Sequence, residues 1–150
     1  MLNINKYRTT LRRETALHLA SSEGHLACVH LLAQHGADVE ARDEDENTAL
    51  HLAVYDGHID IVRALVNRYN AAVYAVNKEK STPLHLAALK GHTYIVKLLT
   101  SHRACDVSAK DGQGGTAADI ARLQGHNDLV KHLKSKRLLV RRRQIAHTRL

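Results

Sequence analysis

Apolar residues fall along the chain in short blocks of helical period, separated by polar turns. Ile61, Val62, Leu65 and Val66 share one face of a helix, and Ile95, Val96, Leu98 and Leu99 repeat the arrangement. A second kind of block precedes each of these. Thr15-Ala16-Leu17-His18-Leu19-Ala20 returns as Thr48-Ala49-Leu50-His51-Leu52-Ala53 and as Thr82-Pro83-Leu84-His85-Leu86-Ala87. It returns more weakly as Thr116-Ala117-Ala118-Asp119-Ile120-Ala121, so the offsets are 33, 34 and 34 residues. Nine residues after each Thr stands a Gly-His pair, at Gly24-His25, Gly57-His58, Gly91-His92 and Gly125-His126.

The spacing predicts helix, tight turn, helix and extended loop in each of four units. A Thr hydroxyl can cap the first helix by accepting from its free amides. A Gly ends that helix where a left-handed residue is needed. Gly36-Ala37-Asp38-Val39 closes the first unit, and Arg42 to Asn47 leads into the second. The extra residue of the later periods falls in loops, at Arg68 to Ala71 and His102 to Cys105.

With its Thr-Ala/Pro-Leu-His-Leu-Ala signature, Gly-His pairs, paired apolar residues and Gly-Ala-Asp-Val, the chain resembles the ankyrin-repeat family over residues 10–136. The resemblance implies an all-α solenoid of stacked helix-turn-helix units with β-hairpin finger loops. Units are expected at about 10–42, 43–76, 77–110 and 111–136, after a lead-in of 1–9 and before a basic extension of 137–150. It also implies a protein-interaction module, an adaptor or scaffold that binds a partner protein through its fingers and concave helix faces.

Departures from the family pattern refine this expectation. Gly114 keeps the finger glycine, while Glu46 and Lys80 replace it, which predicts less regular or differently built turns in those two fingers. Ala118, Asp119, His132 and Lys134 make the fourth unit more polar, as a terminal cap requires. Unit one has no proper finger, and Leu17 and Leu19 are expected to be poorly covered. Either residues 1–10 fold over that end or earlier repeats belong to a longer parent chain.

Composition and charge alter the picture at one place. Hydrophobic residues make up 44% of the 150, yet there are five Tyr, no Phe and no Trp, so the core must be aliphatic. The longest apolar run, Ala71 to Val76, is far short of the ~20 residues of a membrane span. Two cysteines exclude a disulfide framework. All 15 acids precede residue 131, whereas residues 131–150 hold eight of the 22 Lys and Arg residues without one. Asp38 to Glu46 holds six acids against Arg42. A near-neutral body with an acidic loop is thus followed by a basic extension.

Little in the sequence suggests catalysis. Zinc ligands sit about 2.0–2.1 Å from one ion, and stacked helices are ~8–10 Å apart, so His18, His51 and His85 do not converge. Each imidazole is expected to bond to the hydroxyl and backbone around its Thr. Cys28 occupies a register held elsewhere by Ile61, Ile95 and Leu129 and reads as core, while Cys105 reads as an exposed loop thiol. Gly112, Gly114 and Gly115 form a finger turn, not a phosphate loop, and Asp43 to Glu46 read as solvated finger residues. No enzyme, cofactor, metal or small-molecule substrate is expected.

Three surfaces stand out for binding. The variable finger positions include Glu44, Asp45 and Asn47, then Lys78, Glu79 and Ser81, then Gln113. The variable first-helix positions include Tyr55 and Asp56, Leu89 and Lys90, Leu123 and Gln124. Tyr55, Leu89 and Leu123 share one register and should line up as an apolar stripe. The basic tail offers Lys134, Lys136 and Arg137, then Arg141, Arg142 and Arg143, as a nuclear-import signal, a polyanion contact or a solubilising helix. The principal expectation is a monomeric intracellular protein, cytoplasmic or nuclear, that binds another protein. The alternatives are a nucleic-acid- or anionic-membrane-associated factor using its tail, and the substrate-recognition part of a larger protein such as a ubiquitin ligase.

Overall fold

The computed structural model describes residues 13–148. Within them the chain forms four helix pairs: α1 (Ala16–Glu23) and α2 (Leu26–Gln34), α3 (Ala49–Asp56) and α4 (Ile59–Asn67), α5 (Pro83–Lys90) and α6 (Thr93–Ser101), α7 (Ala117–Leu123) and α8 (Asn127–Thr148). First helices stack in one row, α1 on α3 on α5 on α7, and second helices stack in another, α2 on α4 on α6 on α8. The expected all-α repeat architecture is thus observed. Helices of eight or nine residues are marginal alone in water, so packing between rows and units holds them. The core is the aliphatic set that recurs between units: Leu17, Leu50 and Leu84 from first helices, and Ile61, Leu65, Ile95, Leu99 and Leu133 from second helices, all essentially inaccessible.

Local signals fix the helix ends. Thr15, Thr48, Thr82 and Thr116 take extended backbone immediately before each first helix. Pro83 occupies the first position of α5, where a missing amide hydrogen loses nothing. The first three first helices end on Gly24, Gly57 and Gly91 in the left-handed region. The last of these positions is doubly constrained, because a methyl group added at Gly91 would stand 2.6 Å from Cε1 of His126 in the next unit.

The fingers are built alike. Asp43, Asn77 and Asp111 each accept, through Oδ1, the amides two and four residues onward. A main-chain bond closes each turn, from Asp43 to Asn47 (3.0 Å), Asn77 to Ser81 (3.1 Å) and Asp111 to Gly115 (2.9 Å). Glu46 and Lys80 adopt φ of 61° and 56°, the same left-handed turn that Gly114 makes at 81°. The expectation of irregular fingers at those two positions is therefore corrected: the carboxylate or amide side chain at the finger entrance imposes the turn, and the L-residue accepts the strain. Arg13, in the corresponding register of unit one, has φ 54°, so that unit too carries the finger's left-handed residue. Among the described residues the fingers stop at turns: one isolated bridge, Lys110 to Thr116, stands in place of strand ladders. Asp43 is buried, not solvated as expected, because its carboxylate is the hub of its turn.

Candidate partner-binding groove

Two histidine ladders position the fingers over the first helices. In unit one the Thr15 amide donates to His18 Nδ1 (3.1 Å), which leaves the proton on Nε2 to donate to the Asn47 carbonyl in the next finger (2.9 Å). His51 repeats this with Thr48 and the Ser81 carbonyl, and His85 with Thr82 and the carbonyls of Ala109 and Gly115. Burial holds His51 in its neutral form, its pKa lowered to about 4, and depresses His85 likewise. The Gly-His histidines reach the other way. His58 Nε2 donates to the Ser22 carbonyl (2.7 Å) and His92 Nε2 to that of Tyr55 (3.1 Å). The bonds around each capping Thr follow the expectation for these rings, and the reach into the neighbouring units extends it.

Fingers also bond to fingers. The Lys78 amide donates to the Asp45 carbonyl (3.0 Å) and the Gly112 amide to that of Glu79 (2.8 Å), while Asn77 Nδ2 donates to Asn47 Oδ1 (3.1 Å). Between this fixed row and the first helices lie two open hollows. The first, of about 480 Å³, is lined by Asp45, Asn77, Lys78, Leu52, Tyr55 and Leu86. The second, of about 460 Å³, is lined by Glu79, Asp111, Leu86, Leu89, Ile120 and Leu123. Leu86 belongs to both, so they join as one groove with a mostly aliphatic floor. Lys90 Nζ lies over the Tyr55 ring at 4.7 Å from its centroid, a cation–π contact that holds the ring at the groove edge.

A family model described as ankyrin repeats (3 copies) matches residues 1–75 and 69–142. The chain belongs to the ankyrin-repeat family. No curated protein matches it. Ankyrin repeats are in general protein–protein interaction modules, typically without catalysis. In this ankyrin array no helix among the described residues is long and apolar enough to cross a membrane, and no group of three or more His, Cys, Asp or Glu side chains is arranged to hold a metal ion.

The expected contact residues separate into two kinds. Tyr55, Leu89 and Leu123 are exposed, by 43%, 37% and 83%, and stand along the groove. Glu44, Asp45, Lys78, Glu79 and Gln113 are exposed on the fingers, and Lys90 and Gln124 are exposed beside the floor. Asp56 is exposed but engaged, its Oδ2 accepting from Ser22 Oγ (2.7 Å). Asn47 and Ser81 are largely committed to structure, since their carbonyls receive the histidine bonds and Ser81 is buried. Sequence reasoning missed Leu52, Leu86 and Ile120 as groove floor. They lie three residues before Tyr55, Leu89 and Leu123, a helical neighbour spacing that would have revealed them.

Both cysteines depart from expectation. Cys28 is exposed, not core, because its side of α2 faces the N-terminal end of the array, beside Leu19 and Leu31, where no described unit stacks. Leu17, by contrast, is fully covered. Whether residues 1–10 fold over that end concerns residues outside those described. Cys105 is half-buried beside the core, and burial raises its thiol pKa to about 11, which suppresses the reactive thiolate.

The basic segment is the outer part of α8, which runs unbroken through position 136 to Thr148. Leu129, Val130 and Leu133 anchor its first turns in the array, and His132 pairs with Thr100 Oγ1 (2.9 Å). From Arg137 to Thr148 every side chain is exposed, Leu138, Leu139 and Ile145 included.

Proposed function

We propose that this ankyrin array is a non-catalytic adaptor that seats an apolar-centred segment of a partner protein along the groove between fingers and first helices. The observation that carries the reading is the strip of Leu52, Tyr55, Leu86, Leu89, Ile120 and Leu123 along two joined hollows. Its rim changes sign between Glu44-Asp45-Glu46 and Lys78-Glu79-Lys80. A helix or extended peptide with an apolar centre and opposite charges at its ends suits such a track. Aliphatic and aromatic contacts at the centre supply most of the energy, and the rim sets orientation and association rate. The adaptor acts as a monomer inside the cell, in cytoplasm or nucleus, without cofactor or small-molecule substrate; two unpaired thiols accord with a reducing compartment.

The test is affinity capture with the native protein beside a Tyr55→Ala/Leu89→Ala variant as control, followed by calorimetry on the captured partner. Each single substitution should weaken binding by at least about 1–2 kcal/mol with an unchanged melting temperature. Intact binding with a destabilised array would assign these side chains to the core and remove the groove reading.

A further inference from the structure

We propose that the outer part of α8, residues 134–148, binds double-stranded DNA. This goes beyond the groove reading and does not depend on it. The segment projects from the array with its base fixed by Leu129, Val130 and Leu133. Past Lys136 its side chains are exposed, and the side-chain hydrogen bonds of His147 and Thr148 return to its own carbonyls. No acidic residue follows Asp128 in the sequence. The cations of this helix therefore have no carboxylate of their own beyond the first turn, where Lys131 lies 4.0 Å from Asp128.

The distribution of those cations selects among polyanions. At 3.6 residues per turn those of residues 134–148 point in three directions about 120° apart: Arg142 alone, Lys136 with Arg143, and Lys134 with Arg137 and Arg141. A helix lying on a membrane needs its apolar side chains on one face and its cations on the other. Here Leu138, Leu139 and Val140 are consecutive and point about 100° apart, so no face is apolar. An acidic protein surface would meet one stripe. The major groove of B-form DNA, about 12 Å wide, accepts a helix about 10–12 Å across and presents a phosphate wall on either flank, which engages stripes on both sides. At ~1.5 Å per residue the 15 exposed-end residues reach about 22 Å, some six base-pair steps.

Repulsion along the helix points the same way. Arg137 and Arg141 stand four residues apart, and Lys134 and Arg137 three apart, pairs that destabilise a helix when like-charged. Phosphates between the stripes relieve that repulsion, so binding should increase helicity. Of the six acids between Asp38 and Glu46, Asp38 and Glu40 lie in unit one and the other four in the finger that opens unit two, away from the fourth unit that carries the helix.

The experiment uses the full chain and a labelled DNA duplex of about 20 base pairs, followed by fluorescence anisotropy across a salt series. Micromolar binding near 0.1 M salt is expected, with log K falling against log salt at a slope of about −4 to −6, and with a gain in helical circular dichroism. The triple substitution Arg141→Glu, Arg142→Glu and Arg143→Glu should reduce affinity at least tenfold and flatten the slope by about 3, while the array's melting temperature stays unchanged. No duplex binding, or a triple variant that binds as well, overturns the proposal. So does equal or tighter binding to polyglutamate, to single-stranded DNA of the same length, or to vesicles one-third phosphatidylserine. Loss of the array's melting transition in the triple variant would also overturn it, because these arginines would then belong to the fold.

Discussion

The interior units and the fourth unit solve the same problem with different side chains, and the difference shows what stacking demands. At the third position of the first helix the interior units carry His51 and His85, rings with two nitrogens. One nitrogen accepts from the unit's own capping Thr, and the other donates to a finger of the next unit. The fourth unit carries Asp119, whose Oδ2 accepts from the Thr116 amide (3.0 Å) and hydroxyl (2.8 Å) and whose Oδ1 pairs with Arg122. Asp119 thus performs the local half of the histidine's work. One residue earlier, Leu50 and Leu84 are fully buried, while Ala118 in the same register is half-buried. A unit that stacks onward needs a forward hydrogen bond and a forward aliphatic side chain; the fourth unit has neither.

The strongest test of that contrast exchanges the aliphatic residues. Leu84→Ala removes a buried side chain from the middle of the array and should destabilise it by about 2–5 kcal/mol, through lost burial and the cavity left behind. Ala118→Leu places a larger side chain at a partly open position and should change stability by less than about 0.5 kcal/mol. Because each unit contacts only its neighbours, the Leu84 variant should also split or broaden the unfolding transition. Denaturant melts followed by circular dichroism distinguish the two variants, and an unchanged Leu84→Ala curve would remove Leu84 from the stacking core.

Acid sharpens the comparison next. His51 is neutral in the folded protein, with its pKa lowered to about 4 by burial against an ordinary value of 6.5. A depressed folded pKa means that the unfolded chain takes up the proton first. The stabilisation is complete above pH 6.5 and is lost progressively as pH falls from 6.5 towards 4. The shift corresponds to about 3 kcal/mol for this one ring, and His85 adds a loss of the same sign. Protonation also removes the acceptor on which the Thr48 amide depends. Asp119 behaves oppositely. Hydrogen bonds from the Thr116 amide and hydroxyl hold its carboxyl below the usual range, so the fourth unit's cap persists through this window. Urea midpoints at pH 7 and pH 4.5, with histidine resonances followed by NMR, check this. A His51 signal titrating near 6.5 in the folded state would refute it.

Most of the architecture was legible because it is periodic. Thr, Gly and Leu at fixed offsets encode capping, helix ends and core, and each behaves in the structure as its chemistry requires. The floor of the groove was half legible. Tyr55, Leu89 and Leu123 stood out by register, but Leu52, Leu86 and Ile120 were absorbed into the signature, and their facing follows only from the helical spacing to the first three. Cys28 was misjudged because a register argument assumes a neighbour on both sides, and its side of α2 is the one where no described unit packs. Asp43 was misjudged because its place within an acidic run masked its period with Asn77 and Asp111. That period of 34 residues is the actual signal of the finger hub.

The smallest expected effect concerns the fingers, where the same comparison runs between Lys80 and Gly114. Both residues occupy the left-handed region, Lys80 at φ 56° and Gly114 at φ 81°, and both turns are closed by an Asx side chain at the entrance. A residue with a Cβ is strained by roughly 1–2 kcal/mol in that region, and glycine is not. Glycine also brings a larger loss of backbone entropy on folding, which offsets part of the gain. Lys80→Gly should therefore stabilise the array by about 0.5–1 kcal/mol, and the mirror change Gly114→Lys should destabilise it by a similar amount. Nothing lies within 4 Å of a Cβ built at Gly114, so the mirror variant would report backbone strain alone, without a steric clash. Because Lys80 is exposed, its removal uncovers no core. Thermal melts of the two variants, compared in moderate salt to screen the lost charge, give the sign directly. If Lys80→Gly instead destabilised the array, the lysine side chain would be contributing to the finger beyond its backbone, and the two turns would not be equivalent.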